Sequence, residues 1–211
     1  GFKRKVRAVL SNMDEPLGYS VGNAIEIIEA IETLKGNGAK DVKEVVYTIA
    51  ALALEARGEI KELKDGYKKI DEVINNGLAL LKLKEFITES GGNGNLVNDY
   101  SILSVAKEKL EVFSKNSGYV SKIKTEEIGK AAMIIGAGRA TKQDKIDYSV
   151  GIKIFKKVGD KVEKGEKLAE IYYNDSKNVK DSKEMILKAY ILQNEKIDKQ
   201  KVVLEIINCK L

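Results

Sequence analysis

The only proline of this chain, Pro16, lies in Asp14-Glu15-Pro16-Leu17-Gly18-Tyr19-Ser20-Val21-Gly22-Asn23, which runs straight into the helix-like segment 24–34. Pro16 fixes φ and Gly18 and Gly22 accept positive φ, so the backbone must double back tightly before a helix begins. Asn23 with Glu26 three residues on matches a capping pair, in which the asparagine oxygen accepts an orphan N–H and the glutamate reaches back. Ile25, Ile28, Ile31 and Leu34 then form one apolar stripe at helical spacing, and Gly36 supplies the stop. Glu26, Glu29 and Glu32 line a neighbouring face.

The flanking sequence fits an α/β layout. Residues 2–10, Phe2-Lys3-Arg4-Lys5-Val6-Arg7-Ala8-Val9-Leu10, give way from polar to apolar as a strand would. A start on Gly1, almost inside a strand, reads as a cut chain whose neighbouring strands are expected upstream. Downstream, Asp41 caps a predicted helix over 42–57 with Val45, Val46, Ile49, Leu52 and Ala53 as its buried face, ended by Gly58. A third helix is predicted over 66–90, with Tyr67, Ile70, Val73, Ile74, Leu78, Leu81 and Phe86 apolar and Asn76-Gly77 kinking or dividing it. Gly91-Gly92-Asn93-Gly94-Asn95 is the strongest breaker.

After Asp99 the texture changes to short alternating segments. Strands are expected over 108–114, 118–123, 149–155 and 202–208, two more joined through glycine turns over 158–172, and helices over 125–135 and 181–190. The expected class is α+β: residues 1–107 as the C-terminal part of an α/β domain (strand, loop, helices) and 108–211 as a small α+β barrel-sandwich-like domain.

Composition narrows the function. Of 211 residues 43% are hydrophobic and 33% charged, an ordinary balance for a chain that folds. The net charge of +5 is spread through interleaved signs, as in Glu59-Ile60-Lys61-Glu62-Leu63-Lys64-Asp65, which reads as solvated helix faces and not as a nucleic-acid surface. One cysteine, Cys209, excludes an intramolecular disulfide and fits a reducing compartment. No apolar run approaches the roughly 20 residues of a membrane span, and no signal peptide is visible, so a cytoplasmic location with no membrane partner is expected. The chain has no histidine, which removes the commonest general base and zinc ligand and every Ser-His or Cys-His nucleophile.

Two blocks carry a family likeness. Gly118-Tyr119-Val120, Gly129-Lys130-Ala131-Ala132-Met133-Ile134-Ile135-Gly136-Ala137-Gly138-Arg139, Asp144-Lys145-Ile146-Asp147, Val150-Gly151-Ile152 and Lys157-Val158-Gly159-Asp160-Lys161-Val162-Glu163-Lys164-Gly165 closely resemble the C-terminal domain of pyrimidine-nucleoside and thymidine phosphorylases. Met13, Pro16-Leu17-Gly18, Val21-Gly22-Asn23-Ala24, Glu29-Ala30-Ile31 and Thr33-Leu34-Lys35-Gly36 resemble the middle of the same enzymes, in the same order.

The resemblance implies reversible phosphorolysis in nucleoside salvage: inorganic phosphate cleaves a pyrimidine nucleoside to the free base and a (deoxy)ribose 1-phosphate, with no organic cofactor. It implies a homodimer whose contacts lie largely in a helical domain. It also implies a potassium ion, held partly by the backbone carbonyls of Leu17 and Ser20 and by the carboxylate of Glu29; oxygen donors of this kind suit a large monovalent cation. The family's phosphate-binding and base-reading residues map onto no position here, so catalytic and substrate-binding residues are expected outside these 211 residues. The chain alone is expected to be inactive.

Three other readings compete with these. Glu29 also fits a solvated acidic face shared with Glu26 and Glu32. With Asn23 as the cap, Glu29 sits about 9 Å along the helix, so the loop must fold back over the first turns for the ligands to meet. Residues 158–172 have the strand-glycine-strand look of a biotinyl or lipoyl carrier, a non-catalytic module, but its lysine position falls on Asp175, with Lys177 the nearest lysine. Gly136-Ala137-Gly138-Arg139 reads as a turn that ends a helix, or as one that lends Arg139 to a phosphate or to another domain.

Overall fold

The computed structural model describes residues 6–209, with side chains to residue 207. Residues 2–5 of the expected first strand and the side chain of Cys209 lie outside the described residues. The chain forms two compact units, one of residues 6–12, Ala30–Asn98 and 201–209, the other of Met13–Glu29 and Asp99–Gln200. This differs from a division at 107/108, because the loop at 13–29 groups with the later residues and the last strand groups with the first.

In the first unit, strand β1 (Val6–Ser11) pairs antiparallel with a C-terminal strand, Val203–Cys209, in the register Val6↔Cys209 to Leu10↔Glu205. The described partner of β1 is thus a downstream strand. The Arg7 Nε donates to Glu55 at 3.1 Å, joining β1 to the helix Lys40–Ala56. That helix packs on the next, Leu63–Asn75, around Ala51, Ile60, Ile70 and Ile74. Their close approach depends on Gly66, where a Cβ would stand 2.7 Å from Ala51 Cβ.

The expected buried faces of two helices are corrected here. The buried face of Lys40–Ala56 is Thr48, Ala51 and Leu52, whereas Val46, Ile49 and Ala53 are exposed. The helix is apolar on more than one side, and packing selects the side whose small residues admit a neighbour closely. Of the two outcomes expected at Asn76-Gly77 the structure takes division, giving the helices Leu63–Asn75 and Leu78–Glu89. Of the apolar face expected over 66–90, Ile70 and Ile74 are buried, while Val73, Leu78, Leu81 and Phe86 are exposed.

The second unit is built on two open antiparallel sheets. In chain order its strands are β2 (Ser20–Gly22), β3 (Glu108–Phe113), β4 (Gly118–Ile123), β5 (Gly151–Ile154), β6 (Lys161–Val162), β7 (Lys167–Tyr173) and β8 (Tyr190–Gln193). One sheet has the order β2-β5-β7-β3 and the other β6-β4-β8. The α+β class holds, with a layered arrangement whose described strands form no closed barrel.

Two further helices, Thr125–Ala132 and Val179–Ala189, cover the core of this unit, which includes Val112, Val120, Ile123, Ile128, Ile152, Ile154, Ile171 and Ile186. Alternation along β5 sends Ile152 and Ile154 inward and Lys153 outward, as a half-buried strand requires. The Ser182 hydroxyl, fully buried, donates to the Ala131 carbonyl at 2.9 Å and ties the two helices together.

Candidate cation-binding loop

Helix α1 (Ala24–Glu32) starts where the opening loop ends, and the loop folds back over its first turns. Tyr19 N–H donates to Glu29 Oε1 at 2.8 Å and Ser20 N–H to Oε2 at 3.0 Å. Both carboxylate oxygens therefore lie against the loop, and Glu29 does not project as one more member of a solvated face. Gly18 makes this approach possible. It sits at φ +71°, and a Cβ there would fall 2.6 Å from Glu29 Oε2, inside any real contact distance.

The other acidic residues of the stripe go elsewhere. Glu26 accepts from Gly22 N–H at 2.7 Å, and Glu32 pairs with Lys35 and Asn37. Partial burial pushes the Glu26 carboxyl above its ordinary range; the Gly22 N–H offsets part of that rise and the Glu29 charge adds to it. The expected capping pair is split. Glu26 reaches back one residue further than predicted, and the Asn23 amide donates instead to the Ala137 carbonyl at 3.0 Å. An asparagine that reaches a distant carbonyl fixes the helix start against the 133–138 turn, a use that local spacing does not reveal.

Carbonyl commitments sort the loop. The Pro16 carbonyl accepts from the Lys157 ammonium, and the Tyr19 carbonyl accepts from Ile154 N–H at 2.8 Å. Antiparallel pairing directs the backbone groups of alternate residues toward the partner strand. With Tyr19 turned toward β5, Ser20, opposite Lys153, turns its N–H and C=O away from it, onto the side where Glu29 lies. Leu17 and Ser20 are thus the residues next to the two committed carbonyls, and Glu29 supplies a carboxylate within reach of the loop. Oxygen donors of this type, with one negative charge, fit a monovalent cation. Among the described residues no group of three or more His, Cys, Asp or Glu suits a metal ion, so a carboxylate-rich divalent centre has no counterpart there.

Residues that sequence reading passes over complete the loop. Lys157 is only 6% exposed, and its ammonium also lies 5.3 Å from the centroid of the Tyr19 ring. Glu15 Oε2 accepts from Val158 N–H at 2.8 Å. Neither residue stands out in a chain whose charges alternate, because alternation reads as solvation; the signal would have been a lysine flanked by the buried Val158 on a turn, where a solvated side chain is unneeded.

The remaining motifs take local roles. The 136–139 stretch is a helix end, with the Gly136 carbonyl accepting from Asp147 N–H at 2.9 Å and Arg139 exposed. After β7 the chain turns at Asp175, which accepts from Lys177 N–H, and enters the helix Val179–Ala189; no hairpin tip of the carrier type forms there.

Similarity to known proteins runs through the same residues. Residues 119–193 match the family described as pyrimidine nucleoside phosphorylase C-terminal domain. The chain is 47% identical over 171 residues to a pyrimidine-nucleoside phosphorylase of Bacillus subtilis (strain 168) and 43% identical over 171 residues to one of Staphylococcus aureus (strain USA300). In both cases the match takes in 81% of this chain and 40% of the relative, so the chain spans less than half the length of these curated relatives. Residues 119–193 are therefore similar to the pyrimidine nucleoside phosphorylase C-terminal domain family, and the likeness to the curated relatives extends over four fifths of the chain.

Proposed function

We propose that this chain is a portion of a pyrimidine-nucleoside phosphorylase that supplies a potassium loop and the C-terminal domain. The observation that carries the reading is the 47% identity over 171 residues to an enzyme of that name. In the reaction, phosphate attacks the anomeric carbon of a pyrimidine nucleoside, the glycosidic bond breaks, and the free base leaves with its electron pair as the pentose 1-phosphate forms. Such a displacement passes through an oxocarbenium-like state, so positioning of the two substrates and charge stabilisation on phosphate and base dominate its catalysis.

Within this portion, the Leu17 and Ser20 carbonyls and the Glu29 carboxylate hold the cation, which supplies a fixed positive charge. Glu29 at the same time holds Tyr19 and Ser20 in place through their N–H groups. Phosphate and base are bound by residues outside these 211, in a cytoplasmic homodimer, and no organic cofactor takes part. The 40% coverage of the relatives supports this division of labour.

A chimera tests the reading. When these residues replace the matching stretch of the Bacillus subtilis relative, phosphate-dependent release of uracil from uridine or thymine from thymidine is expected, stimulated by potassium; the isolated 211-residue chain is expected to release neither. Glu29→Ala in the chimera is expected to abolish the potassium stimulation. A folded chimera without phosphorolysis would overturn the function, activity of the isolated chain would overturn the division of labour, and an unchanged potassium response would overturn the cation assignment.

A further inference from the structure

Lys157 lies on the turn after β5, far along the chain from the loop it touches. The side chain is buried, its ammonium donates to the Pro16 carbonyl, and it lies 5.3 Å from the Tyr19 ring centroid. Its own backbone is held too: Lys157 N–H donates to Asp160 Oδ2 at 2.8 Å, and the next N–H, of Val158, donates to Glu15 at 2.8 Å. A charged donor is therefore fixed at one end and engaged with the loop at the other.

We infer that Lys157 is the positioning residue of the 14–20 loop, a tethered cation that sets which carbonyls face outward. The ammonium takes the Pro16 carbonyl and β5 takes that of Tyr19, so two carbonyls of the loop are committed, while Ser20, whose N–H bonds Glu29, turns its backbone groups away from β5. A buried amine against a carbonyl and an aromatic face is in the setting that cation–π and charge-assisted contacts make strong. The same setting suits a free ammonium ion of similar size. The inference rests on the cation-loop reading only for the identity of the presented carbonyls; the positioning itself rests on the contacts of Lys157.

Amide hydrogen exchange in the 211-residue chain separates the two. Tyr19 and Ser20, whose N–H groups bind Glu29, report on the loop, while Ser114, bonded to Glu166, and Lys124, bonded to Ala189, report on the rest of the same unit. In Lys157→Ala, protection at Tyr19 and Ser20 is expected to fall about tenfold or more while Ser114 and Lys124 hold theirs. Ammonium chloride at about 100 mM is expected to restore part of the loss, and tetramethylammonium chloride none of it. Lys157→Met is expected to behave as Lys157→Ala, and Lys157→Arg, which keeps a charged donor, to stay within about threefold of the parent.

A loss of equal size at all four amides, an unchanged loop, or equal responses to the two salts would overturn the inference. If Lys157→Ala does not fold, the contrast between Lys157→Met and Lys157→Arg at the same four amides decides it in the same way. Titration of the chimera with potassium, followed at Tyr19 and Ser20, tests the cation reading alone: absence of a response there overturns that reading and leaves the role of Lys157 standing.

Discussion

At the residue scale, the loop turns on contacts that substitute poorly. Gly18 carries two constraints at once, a left-handed backbone and a carboxylate 2.6 Å from where a Cβ would go. Gly165 carries only the first, at φ +84° with nothing within 4 Å. Gly165→Ala is expected to cost about 1 kcal/mol from backbone strain. Gly18→Ala is expected to cost about 2 to 4 kcal/mol, because Glu29 must also release charge-assisted bonds to the loop. Denaturant unfolding of the two variants checks this, and equal costs would mean that Glu29 moves aside freely. Glu29 and Ser20 could be selected from the sequence through the resemblance, and their meeting across a folded-back loop is what the structure adds. Lys157 was not legible as a site residue, because a lysine among alternating charges carries no mark of burial until the turn that buries it is known.

Elements were legible where a local rule ruled alone. The α1 stripe is one case: Ile25 and Ile31 are buried as their spacing requires. The division at Asn76-Gly77 is another, since a glycine after asparagine is a break that no packing had to decide. Legibility failed where tertiary packing chose between faces, as between Val46, Ile49 and Ala53 and the buried Thr48 and Ala51, and where a strand's partner lay far away, as for β1.

The segment before β5 shows an element held by one carboxylate. Asp147 accepts from Ser149 N–H at 3.0 Å, from the Ser149 hydroxyl at 2.6 Å and from the Asn174 amide at 2.7 Å. Burial alone would raise its carboxyl, but these donors outweigh it and hold the group below the usual 3.8. A depressed carboxylate adds stability above its unfolded value, and that stability is lost as pH falls through the folded value. Asp147→Asn is therefore expected to be less stable by about 1 kcal/mol near pH 7, with the gap from the parent narrowing below pH 3.8. Circular dichroism across an acid titration checks the sign; a gap that widens toward low pH would refute it.

At the scale of the whole molecule, the two units carry unequal cores. Among the described residues, four buried ones form the core of one unit, and twenty, Ala106 to Tyr190, form that of the other. Buried apolar area is the main source of stability, and separate cores melt separately when their stabilities differ. Calorimetry is expected to show two transitions, with residues such as Ile70 and Ile74 losing order in the lower one and Ile152 and Ile171 in the higher. A single transition with coincident loss of both would show that the units unfold together. No helix among the described residues is long and apolar enough to cross a membrane.

The loop's stitching has a mechanical meaning. Tyr19 N–H is given to Glu29 on α1, and the next peptide unit is fastened on both sides, its Tyr19 carbonyl to Ile154 on β5 and its Ser20 N–H to Glu29 on α1. A displacement of α1 against β5 by a fraction of a hydrogen-bond length must be absorbed as rotation at Tyr19 and Ser20. The loop is thus a strain gauge between helix and strand, and its output is the tilt of the peptide unit between Tyr19 and Ser20.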